Sequence, residues 1–385
     1  MKLKTLRMLG IALASVAVSA ASLNATDKAL LDALVAKGTL TKEEAAEIAK
    51  KSAVTVTPNK PTISQLKIRG RIQGQFAYAS GDNSNTGKEA NNYSTFEARR
   101  IRLGVQGKLY EPFTFQVEMN AVSKVDLDSA LLSYSTSPEA VITFGKDKPQ
   151  FGYEENTSSA SILTIERSRL TGIMNGGKPL GLRFSGSSNG FSYYAGIFNG
   201  TSVDTDRMAK NLDSYLFNAS ISYDLSDKIA EGLKGSVRAD YLHSDKDIGY
   251  YRFQDAYSLS TAWGYDAFNV SVEYDWAEDY AERSVKGFYV MPSYYFIPKK
   301  LQAVLRYEVI DGDEGVSLGH NRYADRVNNL YGSGNEYTAI YVGANYYIQG
   351  DNLKFMAGVE FAENANDADM EGSVVTFLTG VRMQF

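Results

Sequence analysis

Over most of the chain, apolar and polar residues alternate with a period of two. The stretch FEARRIRLGVQGKLYEPFTFQVEMN, residues 96–120, shows this pattern on both sides of a short break. Because successive side chains of a β-strand point to opposite faces, the alternation predicts strands with one apolar and one polar face. Two folds fit such strands: a soluble sheet with one wet face, or a closed barrel whose polar face lines the interior.

About sixteen strand-like runs follow one another, and short connections between them alternate with longer ones. The short connections are YEPF, STSPE, SSNG, DLSDKIAEG, GYDA, FIPKK and QGDN. The longer, polar connections are GDNSNTGKEANN, the segment 149–177 and the stretches near 199–211, 245–252, 279–284, 311–335 and 362–371. Turns on one side and loops on the other are typical of barrels in an outer membrane.

A barrel of about sixteen strands encloses more space than side chains can fill. We therefore expect a water-filled lumen lined by the polar face, with the apolar face against lipid and lipopolysaccharide. The sequence thus predicts an all-β fold, a transmembrane antiparallel β-barrel of about 16 strands over residues 62–385.

The last predicted strand, SVVTFLTGVRMQF, ends on the aromatic residue Phe385. This ending resembles the signal that the outer-membrane barrel-assembly machinery reads, which makes that machinery an expected partner. A strand that runs to the end of the chain also suits barrel closure, because an unpaired strand edge is not tolerated in hydrocarbon.

Residues 1–25 have the pattern of an export signal. Lys2, Lys4 and Arg7 precede an apolar run, which small residues follow. The apolar run is shorter than the roughly 20 residues that a membrane-spanning helix needs. We predict a signal peptide that is cleaved between Ala20 and Ala25. Export together with the predicted barrel indicates a protein of the outer membrane in a Gram-negative cell envelope.

Residues 26–61 read as a short helical segment and a linker. Gly38 predicts the end of a first helix, and Thr41 with Glu44 predicts a capping box that starts a second. The segment is either a periplasmic hairpin that contacts the wall or other subunits, or a short appendage.

The overall charge argues against nucleic acid as a partner. Lys and Arg number 40 against 45 Asp and Glu, and 37 against 45 without Lys2, Lys4 and Arg7. The chain has no cysteine, which excludes disulfides and thiolate metal sites. Tyrosine is abundant, with 26 residues against two Trp, and Tyr favours strands and membrane–water boundaries.

Several cations share the polar parity of the first strands. The inward-facing set is predicted to be Lys67, Arg69, Arg71, Arg100, Arg102, Lys108, Lys146, Lys148 and Arg183. Arg99 falls on the apolar parity, so it either lies near the rim or marks a bulge. A guanidinium binds an oxyanion through two charge-assisted hydrogen bonds, so these residues suit small anions.

Acidic residues leave a second interpretation open. They are Glu118, Asp126 or Asp128, Asp240, Glu273, Asp275, Glu308 and Glu360. Cations opposite these acids would create a transverse field without anion preference. The second half of the wall is therefore predicted to be mixed or acidic.

Catalytic and metal-binding readings have little support. His243 lies near the outer end of a strand on the apolar parity, and His320 lies in a long loop. Neither has a serine-containing motif as its partner, so His243 is interpreted as a rim residue. DGDEG (311–315) lacks the full ligand set of a calcium loop and is interpreted as a solvated surface loop. We expect no enzyme activity, no cofactor and no resident metal.

Three stretches resemble one known family, the phosphate-selective porins O and P. They are FEARRIRLGVQGKLYEPFTFQVEMN, DLDSALLSYSTSPEAVITFGKDKPQFGYEE and SILTIERSRL. The shared features are the paired arginines Arg99-Arg100, the strand with Asp126 and Asp128, the segment Gly145–Gly152, and Glu166-Arg167-Ser168. The resemblance is good over residues 66–200 and only architectural beyond them.

The resemblance implies a sixteen-stranded, trimeric barrel whose third loop (149–177) folds inward and narrows the lumen. It implies that Arg167 and Arg169 lie on that loop, with Asp128 among the lining residues. The expected function is passive diffusion of small hydrophilic solutes, with a preference for anions such as phosphate or polyphosphate. A general or cation-tolerant porin and a structural outer-membrane protein remain the alternatives.

Overall fold

A computed structural model describes residues 34–39, 41–44, 63, 65–110, 112–200, 214–245 and 251–385. The chain forms two units, one up to Thr62 and one from Ile63 to Phe385. The predicted signal peptide, the linker and most of the predicted helical segment lie outside the described residues. No helix among the described residues is long and apolar enough to cross a membrane.

The described part of the first unit consists of two helical turns, residues 34–36 and 42–44. Gly38 adopts a φ of 69°, which ends the first turn as predicted. The capping box is also confirmed. The Thr41 amide donates to Glu44 Oε2 (2.8 Å), and the Glu44 amide donates to Thr41 Oγ1 (3.1 Å).

In the second unit, the described residues form a closed antiparallel barrel in which each strand pairs with its neighbours in sequence and β1 pairs with β16. The strands are β1 (Gln65–Ser84), β2 (Tyr93–Tyr110), β3 (Phe113–Asn120), β4 (Asp126–Ser137), β5 (Ala140–Lys146), β6 (Leu180–Ser188), β7 (Phe191–Asn199), β8 (Tyr215–Asp224), β9 (Lys234–Ser244), β10 (Phe253–Tyr265), β11 (Phe268–Asp279), β12 (Ser284–Ile297), β13 (Leu301–Gly312), β14 (Glu336–Tyr347), β15 (Leu353–Ala365) and β16 (Glu371–Gln384). The predicted fold class is therefore confirmed.

The predicted short turns are observed at one end of the barrel, except for the longer connection 225–233, and the longest connections leave the other end. Asn189 and Gly190 form the tight turn between β6 and β7 with φ values of 53° and 85°, as a two-residue hairpin requires. Two long connections leave the opposite, loop side of the barrel. We call residues 147–179, between β5 and β6, loop L3, and residues 313–335, between β13 and β14, loop L7. L3 is slightly longer than the predicted segment 149–177.

Three short helical segments lie in these two loops. L3 contains α1 (Tyr153–Asn156) and α2 (Arg169–Met174), and L7 contains one 3-10 turn (Ala324–Arg326).

The two faces of the strands follow the predicted parity. On β1, Ile68 and Ile72 are 44% and 45% exposed on one face, whereas Gln73 and Gln75 are buried on the other. Gln75 donates to Glu166 of L3, so the polar face is the inner face. Tyr289, Tyr337 and Tyr341 are buried inside the barrel, so the expectation of membrane-boundary positions does not extend to these tyrosines.

The β1–β16 seam ends in a close fit between Phe385 and a glycine of β1. The Gly70 amide donates to the Phe385 carbonyl (3.0 Å), and the Phe385 amide donates to the Gly70 carbonyl (3.1 Å). A Cβ at Gly70 would meet the Phe385 ring at 2.3 Å. The absence of a side chain at Gly70 therefore leaves the space that the terminal ring occupies.

Gly70→Leu is expected to displace the Phe385 ring and weaken the β1–β16 seam. Gly74→Leu is the matched control, because Gly74 lies four residues along the same strand and a Cβ there meets only Val381, at 4.0 Å. Heat-resistant migration on a denaturing gel measures the folded fraction. We expect a lower melting temperature for Gly70→Leu alone, and equal temperatures for the two variants would contradict this role of Gly70.

A β-bulge in β2 changes the direction of the Arg99 side chain. In the β1–β2 pairing, Gln73 faces Arg100 and Gly74 faces Ala98, which leaves Arg99 as the extra residue of a bulge. Of the two predicted possibilities for Arg99, rim or bulge, the bulge is correct. It turns the Arg99 side chain to the inner face, where Arg99 meets Glu166.

Candidate pore constriction

Loop L3 lies in the barrel interior. Carboxylates of β9 and β11 accept hydrogen bonds from its backbone amides. Asp240 of β9 accepts from the Gly152 amide at 3.0 Å. Glu273 of β11 accepts from the amides of Tyr153 and Glu154 at 2.6 and 2.9 Å. These carboxylates satisfy free amides at the start of α1, which have no partner within so short a helix.

The middle of L3 is bound by β16, and its α2 end is bound by β13. Arg382 of β16 donates to the carbonyl oxygens of Ile162 (3.0 Å) and Thr164 (3.1 Å). At the start of α2, the Leu170 amide donates to Glu308 of β13 at 2.6 Å. L3 is thus held by β9, β11, β13 and β16, four strands that are spread around the barrel between β6 and β1.

Arg306 of β13 is the centre of this attachment. Its guanidinium lies 2.8 Å from Glu360, 3.5 Å from Glu154 and 3.7 Å from Glu308. It also donates to the Glu166 carbonyl at 3.2 Å. The Arg306 side chain is only 1% exposed, so it serves L3 and not a passing solute.

Strands β1 and β2, which we call the near wall, carry a row of inward-facing cations. Arg71 faces Arg102 in the register, Gln73 faces Arg100, and the Arg69 and Lys67 positions follow toward the turn side. Inward positions on one strand repeat every second residue, so successive cations lie about 7 Å apart along the strand. We call Lys67, Arg69, Arg71, Arg100 and Arg102 the cation row.

The members of the cation row differ in their accessibility. The side chains of Arg69 and Arg102 are 31% and 19% exposed. Arg71 is buried and donates to Ser158 (3.2 Å) and to Ser159 of L3. Arg100 is buried as well and donates to Gln73 at 2.8 Å, so it supports the wall more than it faces the lumen.

The two accessible arginines of the cation row form ion pairs with carboxylates. Arg69 and Arg102 lie 3.5 and 3.3 Å from Glu118, and Arg102 lies 3.1 Å from Asp128. Lys178 of L3 also pairs with Asp128. The predicted residue Asp128 is therefore placed between two cations, one from the wall and one from the loop.

The other predicted cations lie in or beside L3. Lys148 and Arg167 pair with Glu155 at 3.4 and 3.2 Å. Arg183 pairs with Asp147 at 3.0 Å. The two remaining wall positions are Lys108, near the turn-side end of β2, and Lys146, the last residue of β5.

Arg169 differs from the other loop cations. Its Nε donates to the Leu318 carbonyl at 2.6 Å. It therefore joins L3 to L7.

Arg99 and Glu166 form the outer end of the site. Arg99 Nε lies 2.8 Å from Glu166 Oε1 and its Nη2 lies 3.1 Å from Oε2, a two-pronged pair. Burial raises the pKa of the Glu166 carboxyl, but the Arg99 guanidinium and further donors outweigh it and lower the pKa to about 2. Glu166 is therefore ionised at neutral pH.

Most of the predicted acidic residues do not face the cations across an open lumen. Asp240, Glu273, Asp275, Glu308 and Glu360 are at most 5% exposed. Four of them bind L3 or Arg306 directly, as described above. The second half of the wall thus carries these acids, in line with the predicted mixed or acidic wall, but they are buried and do not face an open lumen.

Two cavities show the resulting charge asymmetry. One of about 250 Å³ is lined by Lys67, Arg69, Arg71 and Glu118 and extends to Phe385 at the turn side. The other, about 480 Å³, lies between L3 and β8–β13 and is lined mainly by hydroxyl, amide and aromatic side chains.

Four cations that hold the loops against the wall lie outside the predicted set. Lys178, Arg306, Arg322 and Arg382 were not predicted, although each has the polar parity or the loop position that would have allowed it. Parity cannot show which acid or carbonyl each of them meets.

Both histidines lie where they were predicted, one near the rim and one in the long loop. His243 pairs with Asp255 (2.9 Å) at the loop-side end of β9, in agreement with a rim residue. His320 is buried in L7, where burial lowers the pKa of its imidazole. Asp313, Glu314 and Gly315 are exposed as predicted, but the rest of L7 folds inward.

A closed sixteen-stranded barrel with an apolar outer face, a polar interior and an inward-folded loop defines the class of outer-membrane porins. A sequence model of the phosphate-selective porin O and P family matches residues 66–385, and the chain belongs to that family. The protein is located in the outer membrane and forms a channel there. The family and the fold indicate a channel rather than an enzyme.

Individual relatives are distant. An uncharacterized protein of Aquifex aeolicus (strain VF5) is 24% identical, with 92% of this chain and 94% of that protein covered. The anion-selective porin from Comamonas acidovorans has a similar fold, with a TM-score of 0.58, 12% identity and coverage of 83% and 99%. The trimer form of OmpT of Vibrio cholerae has a TM-score of 0.53, 13% identity and coverage of 83% and 99%.

Proposed function

We propose that this porin prefers anions and that phosphate-sized oxyanions are among its solutes. The observation that carries the proposal is the asymmetry in accessibility. The side chains of Arg69, Arg102 and Lys178 are 31%, 19% and 27% exposed, whereas the acids across the barrel are buried beneath L3. A solute that passes L3 on the near side therefore meets more positive than negative groups.

The spacing of the accessible cations suits stepwise transfer. Each guanidinium or ammonium replaces part of the hydration of an anion, and neighbouring sites allow the anion to leave again. The Arg fork in particular binds two oxygens of a phosphate group at once.

A general, weakly selective porin is the second candidate. It is favoured by Glu118 and Asp128, which lie within 3.5 Å of Arg69 and Arg102 and neutralise part of their charge. The two candidates differ in the anion/cation permeability ratio, and therefore in the sign and size of the reversal potential in a salt gradient.

The deciding experiment is the reversal potential of the purified protein in planar bilayers under a potassium chloride gradient. The proposal predicts the sign that corresponds to chloride permeation, together with a decrease of chloride current when inorganic phosphate is added. A potential near zero would favour the weakly selective porin. A barrel that never conducts would favour a structural role.

We also propose that the protein is a homotrimer. Strands β3, β5, β6 and β7 have eight, seven, nine and nine residues, against 20 in β1. A tilted strand needs about 9–11 residues to span the membrane, so β3 and β5 are too short and β6 and β7 only just reach this length. Contact with another subunit would protect this short side from lipid. Native mass spectrometry in detergent tests the proposal, and a monomeric mass would contradict it.

A further inference from the structure

Loop L7 is a packed element rather than a solvated connection. Val316, Leu318 and Val327 are at most 5% exposed. The loop lies against L3, since Asn321 Nδ2 donates to the Arg167 carbonyl at 3.1 Å and Leu318 accepts from Arg169. L7 therefore has a defined position inside the loop-side mouth.

The far end of L7 reaches the wall that carries the cation row. Asn83 of β1 donates to the Asn329 carbonyl at 2.8 Å and accepts from the Tyr331 amide at 2.8 Å. The Tyr323 hydroxyl donates to Glu97 Oε2 of β2 at 2.5 Å. L7 thus extends from β13 and β14, past Asn364 of β15 and Gly372 of β16, to β1 and β2 at the loop-side mouth.

This position brings one more cation to the pore. Arg322 pairs with Glu97, with Nε 3.2 Å from Oε2 and Nη2 in contact with Oε1. Glu97 faces Gln75 in the register, next to the Arg99 bulge and toward the loop side. The Arg322 side chain is 31% exposed, as much as that of Arg69.

We propose that L7 is a second constriction element and that Arg322 is the outermost anion-contacting residue of the channel. The proposal rests on the anion preference proposed above. Glu97 holds the Arg322 guanidinium at the mouth. An entering oxyanion accepts hydrogen bonds from the same N–H groups that Arg322 otherwise donates to Glu97. From Arg322 the anion passes to the accessible cations below, so that Arg322 sets the probability of entry from outside.

The test uses two substitutions that break the same ion pair. Arg322→Gln removes a positive charge and is expected to lower the anion/cation permeability ratio about threefold, whereas Glu97→Gln removes a negative charge and is expected to raise it by a similar factor. Arg326→Gln is the matched control, because Arg326 lies in the same loop and is exposed. Arg322→Lys keeps the charge and should keep the ratio.

The outcomes separate this inference from the proposed function. A purely structural ion pair would shift the ratio in the same direction in Arg322→Gln and Glu97→Gln, and that result would overturn the inference. An unchanged ratio in Arg322→Gln, together with a lowered ratio in Arg102→Ala, would also overturn it and leave the proposed function intact. A wild-type protein without anion preference would reject both.

Discussion

Arg306→Met is expected to release loop L3 and to lower the stability of the barrel. The substitution leaves Glu154, Glu308 and Glu360 without the cation that they share. Removal of one partner from a buried ion pair typically costs about 3–5 kcal/mol, because the remaining charges stay buried. Two of these carboxylates lie on the wall and one lies on L3, so their mutual repulsion would push the loop away from β13.

The measurements are the urea midpoint of unfolding and the single-channel conductance in planar bilayers. We expect a lower midpoint, together with a larger and noisier conductance, because L3 no longer narrows the lumen. Lys286→Met is the matched control. Lys286 pairs with Asp311 at 3.1 Å, but both side chains are about half exposed, and such pairs contribute at most about 1 kcal/mol. Equal effects of the two substitutions would show that Arg306 does not hold the loop.

The combined substitution Arg69→Ala and Arg102→Ala is expected to abolish the anion preference. Each removes an accessible charge from the cation row, and only the two together remove both arginine partners of Glu118. A unit charge near a partly solvated pore contributes roughly 1 kcal/mol, so the two together, roughly 2 kcal/mol, should change the permeability ratio about thirtyfold.

The control for this prediction is Lys234→Ala, which removes a cation that is exposed and paired with Asp227, on the other side of L3. A compensated variant adds Glu118→Gln to the double substitution and should restore part of the ratio. Reversal potentials in a salt gradient measure all three variants. A ratio that stays at the wild-type value in the double variant would show that the cation row does not determine selectivity.

The cations of the near wall were predictable because a strand obeys a simple rule. Every second residue faces the interior, so the parity of β1 and β2 assigned Arg69, Arg71 and Arg102 to the inner face. The rule failed at Arg99 because a bulge adds one residue and shifts the parity. It also could not distinguish buried Arg100 from accessible Arg102, since that difference depends on what L3 covers.

The loops were less predictable, because their contacts join residues that are far apart in sequence. Arg306 and Glu154 are separated by 152 positions, and Arg322 and Glu97 by 225. Neither pair produces a local pattern. L7 was predicted as an outer polar connection, since its charged residues are visible in the sequence and its buried apolar contacts are not.

The barrel follows from the amino-acid pattern, because the period-two alternation leaves no other arrangement in which apolar side chains meet lipid and every backbone group is hydrogen-bonded. Which charges a solute can reach depends instead on how the loops fold. L3 and L7 fold inward and bury the acids of one wall, while Arg69 and Arg102 on the opposite wall remain accessible. This selection depends on how the loops pack across the lumen, and a strand pattern carries no information about that packing.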